Sequence, residues 1–167
     1  ARDLREFSSG APDELQACQV DEVIGDALRL AAFKLGKAIE VRRSCEPGLP
    51  AVTVNRRKLS QVLLNLLVNS ADAMHEARTA EPWVLVAAEQ VGGDVQIAVE
   101  DNGPGIPAEI AARLFEPFVT SKPLGKGTGL GLALSREYVA SFGGTLELQP
   151  TAGTGARFSI VLPAAAG

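Results

Sequence analysis

Between Arg56 and Arg78, apolar residues recur at helical spacing around much of a circumference: Leu59, Val62, Leu63, Leu66, Leu67 and Met74. A helix apolar over so wide an arc must be covered by other elements. What the apolar residues leave is one narrow polar stripe, in which Gln61, Asn65, Asn69, Asp72 and Glu76 fall within about 40° of a common line. A solvated stripe is one explanation. Solvated faces favour Lys and Glu, however, whereas two amides and a carboxylate at i, i+4 and i+7 are poor helix formers. Amide oxygens suit a site that holds a hard cation together with anionic oxygens. Mg2+ takes oxygen ligands and keeps waters and substrate phosphates in its shell, so one or two asparagines suffice.

The rest of the pattern sets the fold class. Asp21 is placed to cap a helix ending at Gly36, in which Ile24, Ala27, Leu28, Ala31 and Leu35 recur. "AIEVRRS" alternates as a strand, "CEPGLP" turns, and "AVTV" is a second short strand. Strands are expected over 83–89 and 95–100, joined by a hairpin at "GGD". Residues 101–131 are dominated by Gly, Pro and polar segments, with a short helix over 108–114 and another over 130–142. "GGTLELQP" and "GARFSIVLP" close the chain as paired strands. Strands and helices are not interleaved as a doubly wound parallel sheet requires. The expectation is an α/β fold: a two-layer sandwich with a mixed, mostly antiparallel sheet covered by helices.

With 167 residues and 46% apolar content the chain has the size of one domain. Residues 1–17 read as a linker and the remnant of a preceding helix, and 18–167 as the domain. Apolar runs are interrupted well short of the roughly 18 residues a membrane span needs, and no signal segment is evident. Cys18 and Cys45 form no CxxC pair, so neither a metal site nor a disulfide framework is indicated, and a cytoplasmic setting is expected. A net charge of −4 argues against general nucleic-acid binding, and Arg56, Arg57 and Lys58 read as a solvated helix start.

Two glycine-bearing segments add chemistry. "EDNGPGI", 100–106, follows a strand. It has the composition of an ordinary turn. It equally allows Asp101 to accept a hydrogen bond from an exocyclic amino group while Gly103 and Gly105 let a planar ring approach the backbone, which suits adenine. "SKPLGKGTGLGLALS", 121–135, opens into a helix whose backbone amides could meet phosphate. Its spacing is neither that of a P-loop, since counting back from Gly125-Lys126 reaches Thr120, nor that of a dinucleotide fingerprint, since Leu132 stands where the third glycine belongs. A lid over a triphosphate and a surface loop both remain open. Phe115 and Phe118 read as packing anchors, and Lys122 as either a phosphate contact or a solvated charge.

In this order the segments resemble the nucleotide-binding boxes of the GHKL superfamily, and specifically the catalytic ATP-binding domain of bacterial sensor histidine kinases. "QVLLNLLVNSADAM" resembles the N box, "DNGPGI" the first glycine box, "LFEPFVTSK" the F box, "GTGLGLALS" the second glycine box and "GTGARFSIVLP" the closing segment. "NSADAM" and "PFVTSK" are similar to nitrogen-regulation and hybrid-type sensor kinases. The resemblance implies a Bergerat fold that binds ATP with Mg2+, the metal held chiefly by Asn69 with Asn65 nearby. It implies that Asp101 binds the adenine amino group, that Gly103 and Gly105 shape the adenine pocket, and that Asp72 and Ile106 are among the nucleotide-binding residues. It further assigns Gly127, Thr128, Gly129, Leu130 and Gly131 to the phosphate lid, Thr154 with Gly155 to its far wall, and Lys122 and Lys126 to the phosphates. Asn65 and Lys122 would take the catalytic roles.

Gyrase, mismatch-repair and heat-shock chaperone members carry a hydrolytic glutamate where this chain has Asn65. An amide oxygen is essentially non-basic near neutral pH, so transfer is favoured over hydrolysis. The implied acceptor is a histidine on a separate dimerisation domain, with a response regulator downstream and with neither nucleic acid nor membrane contact. His75, the chain's single histidine, lies about 80° off the line through Asn65 and lacks the Asn-Pro pair expected near an acceptor. It reads instead as a partly exposed helix residue within reach of Asp72. Without the acceptor segment the chain is expected to transfer phosphate poorly on its own. A nucleotide-responsive binding module and an anti-sigma-type serine kinase are the alternatives.

Overall fold

Periodicity accounts for most of the elements in the computed structural model, which describes residues 14–117, 131–151 and 153–165. Helix α1 is Val20–Leu35 and buries Val20, Val23, Ile24, Ala27, Ala31 and Leu35 along one face. Gly36 ends it at φ +65°, its N–H bonded to the Ala32 carbonyl. The expected cap at Asp21 is not what forms. Val20, fully buried, is drawn into the first turn, and the extended Gln19 precedes it without a side-chain cap. The Asp21 carboxylate is committed instead to Arg43, 2.7 Å away, and still favours the positive end of the helix.

Strand β1 is Gln16–Cys18, so regular structure begins inside the stretch expected to be linker through residue 17. It pairs antiparallel with β3, Val52–Val54, in a separate two-stranded ribbon. Helix α2 is Arg56–Glu76, capped by Asn55, whose Oδ1 accepts the Lys58 N–H at 3.0 Å. It stops two residues before Arg78, which adopts φ +51° and cannot extend a right-handed helix.

The main sheet has five strands in the order β2-β4-β5-β7-β6: Glu40–Cys45, Trp83–Val91, Asp94–Asp101, Arg157–Pro163 and Thr145–Gln149. β2 runs parallel to β4, and every other neighbour is antiparallel. The hairpin expected at "GGD" is a two-residue Gly92-Gly93 turn with Gly92 at φ +60°, and both of its strands run longer than their local pattern suggests. One sheet face, with Val84, Val86, Ile97, Val99, Ile160 and Leu162, is buried under the helices. The other carries Glu100 bonded to Arg157, and Arg42 above the Trp83 ring. This is the expected two-layer, mostly antiparallel arrangement.

Helix α3 is only Ala108–Ala111, giving way to turns before Leu114. Helix α4, Gly131–Ser141, packs on α2. No described helix is long and apolar enough to cross a membrane.

Candidate functional site

Asp101 ends β5 on the helix-covered side of the sheet and is 4% exposed. A carboxylate so placed needs donors, since an unpaired buried charge is costly. Three are provided. Ser70 Oγ, from α2, donates to Oδ2 at 2.7 Å, while the Gly103 and Ala156 N–H groups donate to Oδ1 at 2.9 and 3.3 Å. The Asp101 N–H returns a bond to the Ala156 carbonyl at 2.9 Å.

The glycines around this carboxylate occupy places where a side chain would not fit. A Cβ on Gly103 would lie 2.9 Å from Met74 Cγ and 3.1 Å from Asp101 Oδ1. Gly105, at φ +80°, would bring one to 3.0 Å from the Gly155 carbonyl. Gly155, at φ +107°, would drive one into the Asp101 carbonyl oxygen. Thr154 beside it is exposed, and Ile106 is half-buried against the core. "DNGPGI" is therefore more than a turn. Asp101 faces inward, and Asn102 ties the segment to β4, accepting the Trp83 N–H at 2.7 Å and donating to the Glu81 carbonyl at 3.1 Å.

The polar stripe of α2 divides along its length. Gln61 and Glu76 at its ends are exposed, while Asn65, Asn69 and Asp72 between them are half-buried. Asn65 Nδ2 donates to Ser135 Oγ on α4 at 3.2 Å. Its amide also lies against Gly131, where a Cβ would stand 2.8 Å from both Nδ2 and Oδ1. Asp72 pairs with Lys34 Nζ of α1 at 3.7 Å, a partly exposed contact contributing at most about 1 kcal/mol. His75 is exposed, and its Nε2 bonds to the Lys34 carbonyl at 3.1 Å. Phe115 is a packing anchor, edge-on to Phe158 with ring centres 6.3 Å apart. Phe118, Lys122, Lys126, Gly127, Thr128, Gly129 and Leu130 lie outside the described residues.

Three contributors carry no signature in the sequence read locally. Ser70 sits inside "NSADAM" as a weak helix former, Ser135 closes a glycine-rich run, and Asn102 is hidden among turn residues. One clue was available for Ser70: a hydroxyl on the covered face of an apolar helix usually finds a partner.

The model for histidine kinase-, DNA gyrase B- and HSP90-like ATPases matches residues 54–166, which include α2, β4 to β7 and every residue of this site. The chain belongs to that family. The relatives and solved structures it resembles are sensor histidine kinases. The sensory histidine kinase/phosphatase NtrB of Rhizobium leguminosarum bv. phaseoli is 32% identical over 170 residues, covering 95% of this chain and 44% of that protein. The nucleotide-free catalytic domain of histidine kinase ThkA superposes with a TM-score of 0.78 at 27% identity, covering 90% of this chain and 96% of that one. Full-length ShkA in complex with AMPPNP gives a TM-score of 0.76 at 27% identity, covering 98% of this chain and 34% of that one. The ATPase domain spans less than half the length of the curated relatives it matches. α1 and β2, outside the family match, fall within the similarity to NtrB.

Proposed function

We propose that this ATPase domain binds ATP with Mg2+ and gives up the γ-phosphoryl group to a histidine on a separate dimerisation domain, from which a response regulator is phosphorylated. The observation that carries the reading is the Asp101 carboxylate, buried and held by three donors, beside backbone that Gly103, Gly105 and Gly155 keep clear of side chains. A carboxylate fixed in this way can accept from an exocyclic amine while the planar base lies against the glycine backbone. That AMPPNP is bound by the similar ShkA supports a nucleotide of this class.

The donor set fits a magnesium ion, because Asn65 and Asn69 offer neutral amide oxygens on one half-buried line of α2. When bound, Mg2+ supplies charge neutralisation on the phosphate oxygens. The chain's own residues hold the base at Asp101 and Ser70, orient the phosphate end along Asn65 and Asn69, and withhold a hydrolytic base at residue 65. Lys122, Lys126 and the glycines of 127–131 complete the phosphate contacts in this reading. Loss of activated water favours transfer.

The test is calorimetric binding of ATP, followed by addition of γ-labelled ATP and a separately made dimerisation domain. Acid-labile, base-stable label on that domain is the expected result. Binding without label would point to a nucleotide-responsive module, and acid-stable label on a serine partner to a serine kinase. Asn69→Ala should weaken Mg-ATP binding at least tenfold, by analogy with the loss of a charge-bearing ligand contact of about 1.5–3 kcal/mol. Unchanged affinity would remove Asn69 from the site.

A further inference from the structure

The Asn65 amide is held on two sides by the first turn of α4, and neither contact is explained by nucleotide approach alone. Its edge meets Ser135, which is 4% exposed, through the 3.2 Å bond from Nδ2 to Oγ. Its face lies against Gly131, where any side chain would overlap both amide heavy atoms. Gly131 and Ser135 stand four residues apart, and so on one face of the helix.

A primary amide has a donor end and an acceptor end in one rigid plane, so fixing one end fixes the other. Within a helix, a serine hydroxyl commonly gives its own proton to a carbonyl one turn earlier, which leaves its lone pairs to accept. Such a hydroxyl selects Nδ2 over Oδ1. We infer that Ser135, with Gly131 as the floor, is a positioning residue that turns Oδ1 of Asn65 toward the cation. The inference rests on the reading of Asn65 as a magnesium ligand given above. It assigns Gly131 a role beyond close approach to phosphate, and Ser135 a role in metal affinity although it need not touch the metal. Partners that orient a metal ligand in this way are commonly worth about 10- to 100-fold in metal affinity.

Alanine is a better helix former than serine, so Ser135→Ala should keep α4 folded. ATP affinity is measured by calorimetry on the chain as it stands, in excess Mg2+ and in EDTA, and the quantity read is the ratio of the two. For Ser135→Ala that ratio should fall roughly tenfold, with the EDTA affinity unchanged. In an Asn65→Asp background the carboxylate is symmetric and has no end to select, so adding Ser135→Ala should leave the ratio within about twofold. An undiminished ratio for Ser135→Ala, an equal loss in EDTA, or an equal loss in the Asn65→Asp background would each overturn the inference while leaving the ATP site standing. If the unsubstituted chain bound ATP equally in Mg2+ and EDTA, the metal reading itself would fall, and this inference with it.

Discussion

Replacing Gly155 with alanine should damage the fold far more than the same change two residues earlier, at Gly153. At Gly155 the backbone has φ +107°, a region costing an L-residue about 1–3 kcal/mol. The added methyl would also fall within the contact radius of the Asp101 carbonyl oxygen, so main chain must move. That movement opens the Asp101 N–H to Ala156 bond of 2.9 Å and the Ala156 N–H to Asp101 Oδ1 bond of 3.3 Å. At about 1 kcal/mol for each lost bond, the total reaches roughly 3–5 kcal/mol. Against a domain stability of about 5–15 kcal/mol this is a large fraction. In urea it should lower the midpoint by about 1–2 M. Gly153 has nothing within 4 Å of the position of an added Cβ, and Gly153→Ala should stay within about 0.5 kcal/mol of the parent or gain slightly through the unfolded chain. The assay is paired urea unfolding of the two variants. A Gly155→Ala loss below about 1 kcal/mol would refute the argument that this backbone approach builds the site.

Ser70→Ala removes the 2.7 Å donor to Asp101 Oδ2 and should weaken ATP binding about tenfold, equally in Mg2+ and in EDTA, by calorimetry. His75→Ala should change urea stability by less than about 0.5 kcal/mol and leave transfer to a separate dimerisation domain intact; label recovered on His75 itself would contradict this. Burial raises the Cys18 and Cys45 thiols above their ordinary value, with the Asp21 carboxylate adding to the effect at Cys45. A folded-state pKa above the unfolded one means stability that is complete below the unfolded value and lost as pH rises through the folded one, so unfolding free energy should decline as pH rises past the ordinary thiol range, and less steeply in a Cys18→Ala, Cys45→Ser chain.

The parts of the fold legible in the sequence are those governed by short-range periodicity. α1 and α2 could be placed because their apolar residues repeat every three or four positions, and the β4–β5 hairpin because Gly-Gly suits a two-residue turn. The parallel pairing of β2 with β4 could not, since the partners are separated by β3 and α2 and no local period encodes which edge a strand joins. The same limit explains the misplaced cap: Asp21 is a good capping residue judged locally, but Arg43, 22 residues away, takes its carboxylate. In the site, Asp101 and the glycines were recognisable by type and order. Their partners were not, because Ser70 meets Asp101 across 31 positions and Ser135 meets Asn65 across 70.

These long-range partners show how one helix sets both ends of the candidate site. Asn65 and Asn69 lie on the polar line of α2, and Ser70, the next residue, turns about 100° away to hold Asp101. The rise from Asn65 to Ser70 is about 7.5 Å along the axis, so the amide end and the carboxylate end are spaced by a rigid element rather than by a loop. The apolar circumference that first marked this helix is what locks it: Leu59, Leu63, Leu66, Leu67 and Met74 are almost fully buried. Met74 also lies under Gly103, so packing of the core and shape of the proposed base pocket meet in one side chain. Enlarging Gly103 would push on that methionine and on Asp101 together, whereas disturbing Gly131 would act on Asn65. Changes in the two glycine segments should therefore separate into nucleotide effects independent of the metal and effects that depend on it.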